Sequence, residues 1–488
     1  MPSGQVIRVT QADDAVAAAS LRAGIQQLQN ELEVTPQFPP EVSAEAAAVA
    51  GTPGREATRE DRTDLPFITL DPAGSMDLDQ ALHLARTTDG YVVDYAIADV
   101  HAFVAPGGPI DTEAHRRGES LYGADSKIPL HPVELSEGAA SLLPDEVRPV
   151  LLWTSTLDAA GQILDTRVRR ATIRSVAKLD YVGLQAALDG GTLSGPYADS
   201  VGLLPEIGKL RIDAEIARGG IDLPLPDQEI EVAGEQWRLA YRSQLPVERW
   251  NAQLSLLTGF GAAAIMLQHK VGLLRTLPPS DPRDVARLRR TAQALGIDWP
   301  ADQAVPDFIR SLDPSHSRHA AMVVASTRLL RGSGYTAFNG TLPELTEHAA
   351  LASPYAHVTA PLRRLIDRYA GEVCVALCAG EQVPAWVLEK FETLPETMQA
   401  SGRKAGAYER GILDLVEAGI LAPQIGSTFE GVVVEVSEKD QTRGNLSLHD
   451  PAVEAGLTST TALPLGDPVT ATLTEADIAT RKVAFRLG

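Results

Sequence analysis

The acidic segment LDPAGSMDLDQAL, residues 70–82, places Asp71, Asp77 and Asp79 close together between two strand-like apolar stretches. Residues two apart on an extended chain point to the same side, so Asp77 and Asp79 converge. Two carboxylates about 4 Å apart repel by roughly 1 kcal/mol in water and about 4 kcal/mol at an effective dielectric of about 20. The segment therefore requires a neutralising cation or a proton, and hard carboxylate oxygens favour Mg²⁺ or Mn²⁺.

An acidic segment of this kind has alternatives to a metal site. An isolated Asp-x-Asp is often a solvated loop, because Asp and Gly are common in turns. An EF-hand is excluded, since Ala81 and Leu82 stand where that loop needs an oxygen ligand and a glycine. A glycosyltransferase-type Asp-x-Asp site would need a nucleotide-binding βαβ unit upstream, where the chain is short and predicted to be helical. The residues of this segment alone leave a glycosyltransferase-type site open.

The hydrophobic pattern predicts three parts. Residues 1–60 are predicted to form a small helical domain, with helices at 11–33 and 42–50. Residues 61–423 are predicted to form an α+β domain, a mainly antiparallel sheet with packed helices. Short strands separated by turns at 424–488 predict a β-barrel of the OB type. The longer helices are predicted at 248–270, 282–296, 317–331, 361–379 and 385–418.

Charge limits which partners the chain can bind. Lys and Arg number 43 against 64 Asp and Glu, a formal net charge of −21. This charge opposes indiscriminate binding of nucleic acid, so a polyanion must meet a local basic site. The barrel segment carries nine acidic and five basic residues and only two aromatic residues, Phe429 and Phe485. We expect such a barrel to grip single strands weakly.

The remaining composition indicates location and redox state. The first residues lack the basic start and apolar stretch of a secretory signal, and no run of about 18 apolar residues could cross a bilayer. We expect a cytoplasmic protein without membrane association. The two cysteines, Cys374 and Cys378, lie one helical turn apart and are predicted to be buried core thiols.

A second candidate site lies in YAHVTAPLRRLIDRY, residues 355–369. Apolar residues recur at helical spacing in its second half and Pro361 suits a first helical turn, so a helix beginning at 361 is predicted. Arg363 and Arg364 would then lie in that first turn, beside free backbone N–H groups, and form an anion site. The structural alternative is an Arg363–Asp367 pair four residues apart, which contributes only a few tenths of a kcal/mol.

These segments resemble the RNB domain, the catalytic domain of the ribonuclease II family of 3′-to-5′ exoribonucleases. The resemblance continues through YAIADVHAFV, IDTEAHRRGESLYGADSKIPLHPVELSEGAASLLPDEVRP and HAALASPYAHVTAPLRRLIDRYAGEV, in family order over residues 62–420. It implies metal-dependent hydrolysis of RNA, with Mg²⁺ or Mn²⁺ as cofactor and nucleoside 5′-monophosphates as products. The implied partner is single-stranded RNA with a free 3′ end, bound by a monomer.

The resemblance also implies roles for the aspartates. Asp71, Asp77 and Asp79 match the first three aspartates of the family signature, which bind the metal and support hydrolysis. The fourth position, acidic in the family, is Gln80. Its amide oxygen can coordinate a metal but brings no charge, so we expect weaker binding there. A catalytically inactive RNB scaffold that binds RNA is the alternative that Gln80 leaves open.

Three further residues are implied to contact RNA. Arg363 matches the arginine that contacts phosphate at the scissile bond, and Arg364 beside it is also expected to bind RNA. Tyr122, at the end of RGESLY, matches an aromatic residue that packs against the 3′ end of the strand. The candidate catalytic set is therefore Asp71, Asp77, Asp79 and Arg363.

Overall fold

The computed structural model describes residues 11–51, 58–124, 127–225, 227–233 and 236–488. The helices are α1 Gln11–Glu31, α2 Pro40–Ala50, α3 Pro109–Arg117, α4 Tyr181–Asp189, α5 Ala198–Val201, α6 Leu204–Arg218, α7 Pro246–His269, α8 Pro282–Ala294, α9 Val305–Arg310, α10 Ser317–Ser326, α11 Leu365–Ala379, α12 Ala385–Leu388 and α13 Leu394–Leu421. Short 3₁₀ turns lie at Val100–Ala102, Thr327–Leu330 and Ala422–Gln424, and a π-helical turn at Leu135–Ala139.

The strands are β1 Glu60–Asp61, β2 Phe67–Asp71, β3 Gln80–Arg86, β4 Gly90–Ala98, β5 Leu121–Tyr122, β6 Lys127–Ile128, β7 Val147–Asp158, β8 Ile163–Asp180, β9 Asp227–Ala233, β10 Gln236–Arg242, β11 Val271–Thr276, β12 Gly334–Asn339, β13 Glu347–His348, β14 Ser353–Pro354, β15 Thr428–Val436, β16 Arg443–Leu448, β17 Val453–Thr458, β18 Pro468–Asp477 and β19 Lys482–Leu487. The chain is thus mixed α and β, as predicted.

A six-stranded sheet forms the centre of the molecule, with strand order β1-β8-β2-β3-β4-β7 and a further pairing of β8 with β7. The β1–β8 and β2–β8 pairs are parallel, and the other pairs are antiparallel. Because the long strand β8 pairs with both β2 and β7, the sheet curves back on itself. β2 ends at Asp71 and β3 begins at Gln80, so the predicted acidic segment connects two neighbouring central strands.

Both faces of this sheet are covered. Successive residues of a strand point to opposite faces, and Tyr95 and Ala96 of β4 accordingly lie in two different cores. Tyr95 shares its core with Leu257 of α7 and Val373 of α11. Ala96 shares the other core with Ile110 of α3. The central strands are therefore packed against buried side chains on both faces.

The C-terminal residues form the predicted barrel. Its five strands close in the order β15-β16-β17-β19-β18. Phe429 and Phe485 meet edge to face inside it, with ring centroids 5.7 Å apart. Both barrel aromatics are thus buried in its core and take no part in its outer surface.

The N-terminal helices do not share a core of their own. The buried side chains of α1 pack with α13 and the barrel, while Val42 and Ala46 of α2 pack with the central domain. α1 approaches α13 closely because glycines face it. A Cβ at Gly411 would lie 2.8 Å from a Leu28 methyl group, and one at Gly419 would lie 2.6 Å from Leu21. The separate helical domain predicted for residues 1–60 is therefore not seen in the described part.

Several predicted helix limits were wrong. The predicted helix 361–379 begins at Leu365, because residues 361–363 form a turn and Arg364 forms an isolated β-bridge with the distant Glu119. Arg364 is the N-cap residue with φ −135° and ψ 125°. The predicted helix 385–418 is two helices, α12 and α13. The predicted helix 317–331 ends at Ser326 and continues as a 3₁₀ turn.

The cysteine prediction is half right. Cys374 is buried, whereas Cys378 is exposed because the last turn of α11 emerges into solvent. Both thiols are free.

Across the residues that the structure describes, every helix is too short or too polar to cross a membrane.

Candidate active site

The connection between β2 and β3 opens into a cavity of about 530 Å³. The connection turns at Gly74, whose φ of 86° is a conformation that glycine adopts without strain. Apart from Arg364, every candidate catalytic, metal-binding or RNA-binding residue named from the sequence lines this cavity: Asp71, Asp77, Asp79, Gln80, Tyr122 and Arg363. Segments nearly three hundred positions apart in the chain thus meet at one place.

Asp79 is the most buried of the three aspartates, with 4% of its surface exposed. One carboxylate oxygen, Oδ1, accepts a hydrogen bond from the Leu362 backbone N–H at 2.7 Å. The other oxygen, Oδ2, lies 3.5 Å from Nε of Arg363. Burial raises the pKa of Asp79 to about 8, although Arg363 and the Leu362 N–H both favour the charged form.

Burial also disfavours the charged form of Asp71. Burial raises its pKa to about 6, opposed by the charge of Arg363 and reinforced by that of Asp77. Its Oδ2 atom is buried and has no hydrogen-bond partner among the described residues. An orphaned carboxylate oxygen in a closed site is costly, so this atom is suited to receive a cation or a proton.

Asp77 forms an ion pair that the sequence analysis missed. Lys127 Nζ lies 3.0 Å from Asp77 Oδ1 and 2.7 Å from Glu137 Oε1. The only sequence signal was a lysine shortly after Tyr122 in a chain whose cations are mostly arginine. In the described ranges, no three His, Cys, Asp or Glu side chains converge as a ready metal site. Metal binding by Asp71, Asp77 and Asp79 stays a prediction.

Gln80 uses all of its polar atoms within the protein. Its Nε2 donates to the Thr359 carbonyl oxygen at 2.8 Å. Its Oε1 accepts from the hydroxyl of Tyr95 and from Ser255 Oγ, the latter at 3.3 Å. A metal ion at Oε1 would have to displace one of these hydroxyl donors. The role of Gln80 as a metal ligand stays a prediction.

Arg363 and Tyr122 are joined through the backbone. The Arg363 carbonyl accepts from the Ser120 N–H at 3.0 Å, two residues before Tyr122. The Arg363 side chain is 45% exposed and reaches the cavity beside Asp79. Tyr122 is 47% exposed, and burial of its hydroxyl together with a hydrogen bond to Asp77 raises the pKa of its phenol. Both side chains are open to a ligand from the cavity.

Arg364 faces away from this cavity. Its Nε and Nη2 donate to the two carboxylate oxygens of Asp367 at 3.0 and 2.9 Å. Asp367 Oδ1 also accepts from the Ala360 N–H at 2.7 Å. The structure thus gives Arg364 the partner that the structural alternative assigned to Arg363, because the helix begins after both arginines. That alternative was wrong, and RNA binding by Arg364 stays a prediction.

Polar residues of α7 complete the opposite wall. Glu248, Asn251 and Ser255 follow one another at helical spacing and line the cavity. Glu248 also accepts from the Leu245 N–H at 2.6 Å and pairs with Arg242 at 2.7 Å, so it fixes the start of α7. Sequence reasoning missed these residues. Their signal was the spacing of polar positions within an otherwise apolar helix.

The fold and the site together define a class: a mixed α and β domain whose cavity combines carboxylates with an exposed arginine, followed by an OB-type barrel. Residues 59–376 match the RNB domain, and residues 427–488 match the RNase II-type exonuclease C-terminal S1 domain. The first match covers more than half of the chain. The chain belongs to the RNB-domain family, and the resemblance drawn from the sequence is confirmed.

Individual relatives agree with this assignment. The chain is 27% identical over 403 residues to ribonuclease R of Escherichia coli, covering 78% of this chain and 49% of that protein. It is 28% identical over 330 residues to exosome complex exonuclease RRP44 homolog A of Arabidopsis thaliana, covering 65% and 35% respectively. Apo ribonuclease R of Mycoplasma genitalium has the same fold, with a TM-score of 0.87 at 21% identity over 96% of this chain and 78% of that one. The chain thus spans half or less of these two curated relatives.

Proposed function

We propose that this chain is a divalent-metal-dependent, hydrolytic 3′-to-5′ exoribonuclease that releases nucleoside 5′-monophosphates from single-stranded RNA. The observation that carries this proposal is the meeting of Asp71, Asp77, Asp79 and Arg363 in one cavity of an RNB domain. The relatives named ribonuclease R and exosome complex exonuclease support the same reaction class. A cytoplasmic location and a monomeric state stay predictions.

The carboxylates suit a hard divalent cation. Asp71, Asp77 and Asp79 offer oxygen donors, and the partnerless Oδ2 of Asp71 is a group that such an ion would satisfy. A bound divalent ion would supply an activated water and stabilise negative charge on the phosphate. We propose Mg²⁺, with Mn²⁺ as a substitute.

The protein's own groups position the RNA. The planar guanidinium of Arg363, half-exposed in the cavity, can hold two phosphate oxygens and neutralise the charge that develops there. The ring of Tyr122 can stack on the terminal base. Asn251 and Ser255 present amide and hydroxyl groups from the opposite wall, suited to hydrogen bonds with the ribose 2′-OH.

An inactive RNA-binding protein is the second candidate. Two observations favour it: Gln80 brings no charge where the family has an acid, and Lys127 occupies one oxygen of Asp77. Both features weaken the attraction of the site for a divalent cation. Three aspartates and the exposed Arg363 nevertheless remain together in the cavity, and we therefore favour the enzyme.

The deciding experiment incubates the chain with 5′-labelled poly(A) and Mg²⁺. The proposal predicts a ladder that shortens from the 3′ end and stops when EDTA is added. Asp79→Asn is the control for a contaminating nuclease, since a contaminant would act equally in both preparations. RNA binding without shortening in either Mg²⁺ or Mn²⁺ would establish the inactive alternative.

A further inference from the structure

Lys127 places a fixed positive charge beside the aspartate cavity. Its Nζ atom lies 3.0 Å from Oδ1 of Asp77 and 2.7 Å from Oε1 of Glu137. The Lys127 side chain is 22% exposed, and those of Asp77 and Glu137 are 16% and 30% exposed. Partly buried charges are screened by salt much less than charges on the open surface. This ammonium therefore acts on Asp77 more strongly than a surface ion pair would.

The two bridged carboxylates are held in place by the backbone around them. The hydroxyl of Ser141 accepts from the Leu78 N–H at 3.0 Å and donates to the Met76 carbonyl oxygen at 2.6 Å. These two backbone groups lie on either side of Asp77, and Ser141 follows Glu137 in the chain by four positions. The fold thus ties the segments that carry the two carboxylates to each other, and a cation between them belongs to the site.

The strand that carries Lys127 also lies opposite Tyr122. The two residues are directly paired in the antiparallel strands β5 and β6. Side chains of directly opposed residues lie on one face, with Cβ atoms about 4.5–5.5 Å apart. The Tyr122 hydroxyl also forms a hydrogen bond with Asp77. One short pair of strands thus brings an ammonium and a phenol to the same carboxylate.

Gln80 is a second obstacle to the binding of two metal ions. Its Oε1 accepts from the hydroxyls of Tyr95 and Ser255. Two-metal sites hold their ions about 3.5–4 Å apart, so several carboxylates must offset the repulsion between the ions. A second ion in this cavity would have to displace a hydroxyl from the neutral oxygen of Gln80, or the Lys127 ammonium from Asp77. Neither displacement brings a new negative charge to the site.

The charges in contact at this place match one divalent ion. When ionised, the three cavity aspartates and Glu137 carry four negative charges, and Lys127 and Arg363, which contact them, carry two positive charges. Glu248 also lines the cavity but is paired with Arg242. The charge that remains is neutralised by a single divalent cation. A second one would leave an excess of positive charge, which is costly in a partly closed site.

We propose that the aspartate cavity holds one divalent ion and that the ammonium of Lys127 takes the place of a second ion at Asp77. This inference rests on the proposed function for the presence of a metal. Enzymes with two metal ions use them to stabilise both the attacking and the leaving oxygen. In this chain the three aspartates hold the single ion, and Lys127 and Arg363 supply the further positive charge for the phosphate.

The test counts the Mn²⁺ ions bound to the full chain, from the EPR signal of free Mn²⁺ during a titration. The titration is run without nucleic acid and with a short DNA strand, which supplies phosphates but is not the proposed substrate. Binding by the strand alone is subtracted. The parent should bind about one ion per chain under both conditions, because Lys127 occupies Asp77.

A pair of double variants shows whether Lys127 sets this number. With the DNA strand present, Gln80→Asp/Lys127→Met should bind about two ions, because it gains a carboxylate and loses the competing ammonium. The matched control, Gln80→Asp/Lys404→Met, loses an exposed charge on α13 instead and should bind about one ion. Lys127→Arg keeps the positive charge and should keep the parent's number of bound ions.

Melting curves show whether each variant is folded and give a second measurement. In EDTA, Lys127→Met should melt at a lower temperature than the parent, because Asp77 and Glu137 lose the cation that they share. Mn²⁺ should raise the melting temperature of this variant by more than it raises that of the parent, since a ligand stabilises the folded state that binds it more tightly. An equal Mn²⁺ effect on both proteins would contradict competition between Lys127 and the metal.

Three ion counts would overturn the proposal. They are two ions on the parent, one ion on folded Gln80→Asp/Lys127→Met, and two ions on the Lys404 control. A parent that binds one ion but cleaves no RNA would refute the proposed function and leave this inference standing. A parent that cleaves RNA with two bound ions would do the reverse. A parent that binds no Mn²⁺ would overturn both.

Discussion

The side-chain Nε2 of Gln80 donates a hydrogen bond to the carbonyl oxygen of Thr359 at 2.8 Å, across 279 positions of the chain. The adjacent Asp79 accepts from the Leu362 N–H, within the same distant segment. Asp79, immediately before β3, and Gln80, its first residue, thus hold the segment that carries Arg363. The carboxylates and the guanidinium are consequently fixed relative to one another before any ligand binds.

Gln80→Asp tests whether residue 80 contacts the metal. An added carboxylate at this position should lower the Mg²⁺ concentration needed for half-maximal activity, because it attracts a divalent cation in a partly buried site. Gln80→Asn is the matched control, with the same length and no charge. Identical Mg²⁺ titrations of the two variants on one short RNA would place residue 80 outside the coordination sphere and leave it a purely positioning role.

Asp79→Asn should retain the fold and RNA binding but lose nearly all cleavage. The substitution removes a ligand charge, while the amide oxygen can still accept from the Leu362 N–H. Single-turnover rates at saturating Mg²⁺, together with Kd for RNA, would measure the two properties separately. Cleavage at the parent rate would show that Asp79 does not hold the metal.

The contribution of Asp79 to the stability of the metal-free protein should fall as the pH rises from about 4 to 8. The Asp79 carboxyl titrates near 8 in the folded chain because of its burial, whereas its unfolded pKa is about 3.9. Between these values the unfolded state binds fewer protons, so the free energy of unfolding falls with pH. In EDTA, the melting temperature of Asp79→Asn should exceed that of the parent by an amount that grows across this range. Parallel melting curves would contradict the expectation.

Substitutions of the two neighbouring arginines, Arg363 and Arg364, should affect different properties of the protein. Arg363→Lys should reduce kcat roughly 10- to 100-fold with little change in melting temperature, because an ammonium cannot hold two phosphate oxygens in a plane. Arg364→Lys should lower the melting temperature, since Arg364 donates twice to Asp367. Rates and melting curves of both variants separate the roles, and the reverse pattern would refute the assignment.

Lys127→Met should lower the Mg²⁺ requirement. The substitution removes the positive charge beside Asp77 and frees its Oδ1 for a cation. Lys404→Met, on an exposed part of α13, controls for the general loss of one charge. A fall in kcat at saturating Mg²⁺, without any change in the Mg²⁺ midpoint, would instead show that the ammonium acts on the substrate.

Local sequence patterns were sufficient to predict much of the fold and of the candidate site. The acidic segment between two strands, the barrel at residues 424–488 and the family resemblance all follow from residue types and short spacings. These features depend on neighbours within a few residues, through backbone periodicity and charge repulsion. Six residues that line the aspartate cavity were named from the sequence, whereas Tyr181 and the polar face of α7 were not.

Only the tertiary structure decided how neighbouring residues divide their roles. Arg363 and Arg364 are equivalent in the local pattern, yet the Ser120 N–H and the Asp367 carboxylate hold the backbone so that one guanidinium reaches the cavity and the other is paired. The contact of Lys127 with Asp77 and the hydrogen bonds of Gln80 with Thr359 and Ser255 likewise join segments far apart in sequence. A sequence by itself determines which chemical groups are present and which elements carry them. Their orientation is set by long-range packing, because side-chain direction depends on backbone angles that distant hydrogen bonds impose.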